Sequence, residues 1–326
     1  MTRILKQHVF TLWLCVAVGL AICFPAAASK GGCLRPEWTT QWGVALIFFL
    51  QGVVLPTRSL TAGCRPRRIH LFVLSWNYLW FPLVTGLVLY PLSALLTPDL
   101  RLGFGLLAIL PTTIASAIVW TAITAGDTAI AIVATIASNL LAVLIVPIIA
   151  VAYFASQTVL EIEWTVLLQS LTRLLILPLL LGQGLRYLLN RPLDHLSAPA
   201  KMVNHAMILF IVHAAFAQGV SSGFLTQLSP SVLSAVLFGV VVLLLVTSAL
   251  VWISAAWLRI DHSQRMAAFF CASQKSLASG LPLASSILLV VPGSVDWAVV
   301  LIPLLCFHPL QLLFAGVVSQ RLSSAG

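Results

Sequence analysis

Ten long apolar runs dominate the sequence, and each is long enough to cross a lipid bilayer. A transmembrane helix needs about 20 predominantly apolar residues. Only 8% of the residues are charged and 60% are hydrophobic, whereas a soluble domain is about 25% charged. We therefore predict an all-α, multi-pass membrane protein. The predicted spans are residues 8–27, 40–57, 71–91, 102–124, 128–153, 164–189, 202–220, 231–257, 267–291 and 296–318.

The distribution of Lys and Arg predicts the orientation. With the N-terminus inside, 12 of the 17 cationic residues fall on the inner side and three on the outer side. This bias predicts that both termini are cytoplasmic, in the inner membrane if the source is bacterial. Basic residues beside apolar runs are topology signals, so they do not indicate nucleic acid. The first run, which ends in Ala26-Ala27-Ala28, also fits a cleavable signal peptide. We favour a retained helix because it gives five spans in each half.

One stretch of the ninth run, Cys271–Pro282, combines a lysine, a glutamine, three serines, a glycine and a proline. A charge at that depth costs several kcal/mol and by default marks function. Gly and Pro are tolerated in a membrane helix where neighbours or a cavity satisfy the freed backbone groups. We predict a broken helix that lines a solute site. Lys275 is expected to be an anion counter-charge, a fixed substitute for a metal cation, or a structural lysine bonded to backbone carbonyls.

A second stretch parallels the first. Thr112–Ile118 matches Lys275–Leu281 at an offset of 163 residues, half of the 326-residue chain. Paired interrupted helices in corresponding halves indicate a transporter binding site. We predict one transporter domain over 1–326, built from inverted repeats over about 1–158 and 159–326. Glu161-Ile162-Glu163 and its flanks would link the two repeats.

Other polar residues in the runs leave alternatives open. Thr135, Ser138 and Asn139 are equally compatible with a site and with helix–helix hydrogen bonds. His213 and His308 could relay protons, although a lone membrane histidine is more often structural. All eight acidic residues fall outside the runs or at their ends, and the six cysteines show no metal-site spacing. We therefore expect no metal or cofactor beyond a coupling ion.

The fourth, fifth and ninth runs together resemble the bile acid:sodium symporter family. In the first half, the resemblance lies in Leu110–Thr113 and continues to Ser138-Asn139-Leu140. Similarity to the SBF-like branch lies in Ser273–Pro282 and in Phe48–Gly52. The resemblance implies ten helices in two inverted five-helix repeats, with helices four and nine broken and crossing near the midplane. It also implies a core domain (segments three to five and eight to ten), a panel domain (one, two, six and seven), and alternating access for organic anions, typically carboxylates or sulfates.

The sequence departs from the family pattern where sodium would bind. The family's Pro-Gly-Gly-x-x-Ser-Asn keeps Pro111 and Ser116, but Ala117 replaces its Asn. The family's Glu falls on Phe270, and Lys275 stands where it has a second Asn. A hard cation wants several oxygen ligands. We therefore predict a degenerate ion site, weak or absent sodium coupling, and Lys275 held by polar side chains and unwound carbonyls. The coupling ion would be sodium, a proton, or neither. The residues expected in the degenerate ion site are Ser116, Thr135, Asn139 and Gln274. Lys275 is expected to bond Ser116, Thr135 and Gln274. The residues expected at the solute are Thr112, Thr113, Ser116, Gln274, Lys275, Ser276 and Ser279.

Three function classes follow from these patterns. The leading one is a secondary transporter whose partners are a small organic anion and the bilayer. The second is a non-transporting membrane regulator on the same fold. The third is an intramembrane enzyme that pairs Ser276 or Ser279 with His213 or His308, but no nucleophile motif surrounds these serines.

Overall fold

The computed structural model describes residues 2–29, 31–54, 66–157, 169–170, 172–189, 196–223, 228–288 and 295–323, and within them the regular secondary structure is all helical. The predicted linker at Glu161–Glu163 lies outside these residues. The helices, in chain order, are α1 Thr2–Cys23, α2 Pro36–Val54, α3 Arg67–Leu92, α4 Pro98–Ile109, α5 Ile114–Ile123, α6 Thr128–Gln157, α7 Thr172–Leu189, α8 Ser197–Ser222, α9 Pro230–Trp257, α10 His262–Ser273, α11 Leu277–Leu288 and α12 Trp297–Ser323.

The helices confirm a multi-pass membrane protein. Six of those described are long and apolar enough to cross a bilayer, and the bent pair α4–α5 adds a seventh. The predicted total of ten spans and the inverted repeat stay predictions.

The chain divides into two compact units, and each draws on separate stretches of sequence. The first comprises Met1–Leu55, Val151–Ser229 and Leu281–Leu301. Within it, α1 packs on α8, and α2 packs on both α7 and α8. Gly52 and Gly182 let α2 and α7 approach closely, since a Cβ on either glycine would collide with a backbone carbonyl of the other helix.

The second unit comprises Pro56–Ala150, Pro230–Gly280 and Ile302–Gly326. In it, α10 packs against α3, α5 and α9, and α3 also packs against α4 and α9. All the contacts of the candidate site lie in this second unit.

Two apolar segments are interrupted at residues of the second unit, as the polar residues in them predict. α4 ends at Ile109 and α5 begins at Ile114, with a bend of 55° between them. α10 ends at Ser273 and α11 begins at Leu277. The second break occupies only a few residues of the Cys271–Pro282 stretch in which the sequence predicts it. The helix resumes early because the Ser276 hydroxyl accepts the Ser279 N–H at 3.1 Å and so caps the first turn of α11.

Candidate functional site

The two breaks meet inside the second unit. The Ser276 N–H donates to the Pro111 carbonyl at 2.8 Å, which joins the two unwound segments through their backbones. The Ser116 hydroxyl donates to Gln274 Oε1 at 2.8 Å and lies 3.1 Å from Thr113 Oγ1. Ser116, Gln274 and Ser276 are all buried. The structure therefore brings together the two stretches that the sequence singles out.

Lys275 is the only charged side chain among the described residues that is fully buried, at 2% exposure. Its ammonium donates to the backbone carbonyls of Asn77, Ala108 and Leu110 at 2.9, 2.8 and 2.9 Å. An ammonium has three N–H donors, so all three are used. The nitrogen also lies 4.2 Å from the centroid of the Phe81 ring, within cation–π range.

Local backbone features explain why these three carbonyls are free. Ala108 and Leu110 lie at the C-terminal end of α4, where the last carbonyls of a helix lack intrahelical partners. The N–H that would normally reach Ala108, that of Thr112, instead donates to the Ser138 hydroxyl at 3.2 Å. The negative end of the helix dipole also favours a cation at this position.

The third carbonyl is freed by a π-helical turn over Trp76–Trp80. In this turn the Phe81 N–H bonds to the carbonyl of Trp76 instead of that of Asn77. The next residue is Pro82, which has no N–H to offer. The Asn77 carbonyl therefore points to a partner outside its own helix, and Lys275 supplies it.

Gln311 of α12 holds the backbone of the same lysine. Its Oε1 accepts the Lys275 N–H at 2.8 Å, and its Nε2 donates to the Lys275 carbonyl at 2.7 Å. Gln311 is 1% exposed, and its Nε2 lies 3.1 Å from His308 Nδ1. The Gln311 amide thus replaces the backbone hydrogen bonds that a continuous helix would give Lys275. The lysine is held both at its backbone and at its ammonium.

A second polar cluster holds the first break to α6 and α3. Asn139 donates to the Thr112 carbonyl at 2.9 Å and to the Thr135 carbonyl at 2.8 Å. Asn77 donates to the Ser138 hydroxyl at 3.2 Å. The Tyr78 hydroxyl also donates to the Ser138 carbonyl. Ser138 is therefore a junction that ties the π-helical turn of α3 to the break after α4.

The expected partners of Lys275 need correction. Ser116, Thr135 and Gln274 do not bond the ammonium. Ser116 and Gln274 bond each other, and the Thr135 hydroxyl donates to the Ile132 carbonyl of its own helix at 2.9 Å. Uncharged carbonyls accept the ammonium because the end of α4 and the π-helical turn of α3 leave them unpaired next to Lys275. The arrangement matches the structural-lysine alternative and leaves no ammonium N–H for a solute.

Four buried side-chain atoms near the breaks have no hydrogen-bond partner within the described part of the chain. They are Gln274 Nε2, Thr112 Oγ1, Asn139 Oδ1 and Asn77 Oδ1. An unpaired buried polar atom costs about 1–3 kcal/mol. The sequence predicts that Gln274 and Thr112 contact the solute, so two of these unpaired hydrogen-bonding atoms belong to residues of the predicted solute site. Across the same described residues, no group of three or more His, Cys, Asp or Glu side chains could hold a metal.

Sequence reasoning missed Gln311, Asn77 and Ala108 as parts of this site. Gln311 carries a weak signal, as a glutamine in the apolar middle of helix α12. Asn77 and Ala108 contribute backbone oxygens, which any residue type could supply. Only the π-helical turn and the helix end, which are three-dimensional features, identify them.

Comparison with known proteins places the chain in a family. The family model described as "SBF-like CPA transporter family" matches residues 8–324. An uncharacterized protein of Pseudomonas aeruginosa is 31% identical over 317 residues, covering 96% of this chain and 92% of its own length. The "Putative symporter YfeH" of Escherichia coli is 32% identical over 323 residues, covering 96% and 92%.

A mammalian protein shows the same relationship over nearly the whole chain. "Sodium/bile acid cotransporter 7" of Mus musculus is 27% identical over 323 residues, covering 98% of this chain and 93% of its own length. The family is a transporter family, and the Escherichia coli and mouse relatives are named as a putative symporter and a cotransporter, which removes the intramembrane-enzyme alternative. The match over almost every residue, together with the two interrupted helices, shows that this chain belongs to the SBF-like CPA transporter family.

Proposed function

We propose that this chain is a secondary transporter that carries an organic anion by alternating access. The observation that carries the proposal is the meeting of two broken membrane segments, where Gln274 Nε2 and Thr112 Oγ1 are buried without partners. Interrupted helices that meet in this way are typical of transporter solute sites. The name of the mouse relative, a sodium/bile acid cotransporter, supports an anionic solute of the bile-acid kind.

The proposed solute site comprises Thr112, Thr113, Ser116, Gln274, Ser276 and Ser279. Thr113 is half-buried and the neighbouring Ile114 is 40% exposed, so the solute would approach from that side. Two helices, α5 and α11, begin at the breaks. The positive ends of their dipoles favour a carboxylate or sulfate.

Lys275 is proposed as a fixed cation that stands where a coupling ion would otherwise be held. Unwound carbonyls and the C-terminal ends of half-helices commonly coordinate the sodium ions of secondary transporters. Here the same kinds of groups coordinate an ammonium. A sodium ion close to that charge would be repelled, and the repulsion grows as the effective dielectric falls. Transport is therefore proposed to be independent of sodium, with a proton as the remaining candidate coupling ion.

The experiment is uptake into liposomes that contain the purified protein. The probes are radiolabelled taurocholate, which is a sulfonate, and estrone sulfate, with an uncharged sterol and an organic cation as controls. We expect saturable uptake of at least one anion and none of the controls. The Gln274→Leu variant, which has no amide, should lose uptake, while Gln218→Leu, in α8, should keep it. Absence of uptake for every anion would instead support a membrane regulator on the same fold.

A further inference from the structure

An apolar groove runs between α3 and α9 in the second unit, away from the crossing of the broken helices. Its volume is about 930 Å³. Trp76 lines the groove, and its indole N–H is already hydrogen-bonded, because it donates to the Ser254 hydroxyl at 3.1 Å. Trp257 is 78% exposed and Leu87 is 75% exposed. Six of the residues that line the groove are Phe72, Trp76, Trp80, Leu83, Ile253 and Trp257.

A basic pocket adjoins one end of this groove. The pocket has a volume of about 600 Å³ and is lined by Arg67, Arg68, Arg259 and Gln264, among others. Leu258 lines both the groove and the pocket, so the two are continuous. Among the described residues that line the pocket, three carry a guanidinium group and none carries a carboxylate.

Asp261 and Arg265, which follow the pocket residue Arg259 in the chain, already bond other groups. The Asp261 carboxylate caps α10 by accepting the Gln264 N–H at 2.8 Å and the Ser263 hydroxyl at 3.1 Å. Arg265 stacks on Trp252, with 4.1 Å from Cζ to the ring centroid, and donates to its carbonyl. Arg67, Arg68 and Arg259 make no side-chain hydrogen bond or ion pair with any residue that the structure describes. The pocket therefore presents uncompensated positive charge at the edge of an apolar groove.

We propose that this composite surface binds an anionic phospholipid, with the phosphate in the arginine pocket and an acyl chain in the groove. Charge complementarity and the continuity of the two spaces select this occupant. Basic pockets between transmembrane helices on the cytoplasmic side bind anionic headgroups, and the positive-inside pattern predicts that side for these arginines. The proposal depends on membrane insertion and does not depend on the identity of the transported solute.

The chain offers matched pairs of variants for a test. Arg259 and Arg35 are both exposed and both have left-handed backbones, with φ of 51° and 42°, so Arg35→Gln controls for Arg259→Gln. Gly86 lines the groove, and a Cβ there meets nothing within 4 Å. Gly86→Phe would therefore place a ring in the groove from a position where the Cβ itself meets no clash. Gly19 also faces open space in another helix, so Gly19→Phe is its control.

The experiment is native mass spectrometry of the purified protein titrated with phosphatidylglycerol or phosphatidylcholine. We expect a bound phosphatidylglycerol that resists dissociation and a weaker phosphatidylcholine adduct. Arg259→Gln should weaken phosphatidylglycerol binding about fivefold, the effect of one arginine near an anionic lipid. Gly86→Phe should weaken both adducts, and the two control variants should match the wild type.

Three outcomes would overturn the proposal. The first is equal retention of the two lipids by the wild type. The second is displacement of the lipid by excess inorganic phosphate, which would indicate a soluble-anion site. The third is a Gly86→Phe variant that changes oligomeric state but binds lipid as the wild type does. That result would indicate that a second copy of the chain covers the groove.

Discussion

Replacing Lys275 with methionine isolates the contribution of the buried ammonium. Methionine keeps an unbranched stem of similar length and removes the three donors to Asn77, Ala108 and Leu110. Each carbonyl left unpaired would cost about 1–3 kcal/mol, or about 3–9 kcal/mol for three. Removing the ammonium also removes its desolvation penalty, which is several kcal/mol. We therefore expect a net loss of about 2–3 kcal/mol in the free energy of unfolding.

The assay is equilibrium unfolding in mixed detergent micelles. Lys201→Met is the control, because Lys201 is exposed on α8 and surface substitutions usually change stability by less than about 0.5 kcal/mol. Lys275→Arg should be only partly as stable as the wild type, because a planar guanidinium is larger and cannot direct its donors at three carbonyls around one nitrogen. A Lys275→Met protein as stable as the wild type would refute the reasoning, since the carbonyls would then not need the ammonium.

Three further predictions concern the crossing and the topology. Gln311→Leu should reduce both stability and uptake, because it leaves the Lys275 N–H and carbonyl unpaired, and unchanged uptake would contradict the role of this amide as a clamp. Gly280→Ala should destabilise the protein by about 1–3 kcal/mol, because its Cβ would collide with the Leu110 side chain. The control Gly184→Ala should be neutral or stabilising, because Gly184 faces open space in a helix. Equal thermal midpoints for the two variants would argue against the close approach of Gly280 to Leu110. A reporter active only in the cytoplasm and fused after Gly326 should be active, and an inactive fusion would contradict the predicted orientation.

The sequence predicts the breaks because a charge and helix-breaking residues stand inside apolar runs. Pro111 and Lys275 are visible in this way, and the two stretches do meet through Ser276 and Pro111. Unwound carbonyls are predicted among the partners of the ammonium, but which carbonyls these are could not be predicted, because backbone oxygens carry no side-chain signature. Their availability depends on where α4 ends and on the π-helical turn in α3.

The same limit explains the expected ion site. Ser116 and Gln274 come together as their positions in the two breaks suggest. Thr135 does not join them through its hydroxyl, because that hydroxyl donates to its own helix. Residue types predict which groups could bind an ion, but the local backbone decides which of them remain free. For Lys275, the free groups are oxygens that no motif encodes.

If the Lys275 ammonium takes the place of a sodium ion at the crossing, as proposed, uptake does not need sodium. The most direct test of this proposal is the initial rate of uptake into liposomes, at fixed pH, of the anion that the protein carries best, with external sodium replaced by choline. We predict that the rate is unchanged or only slightly lowered, because the carbonyls that could coordinate sodium already hold Lys275. A steep, saturable dependence of the rate on sodium would contradict the account.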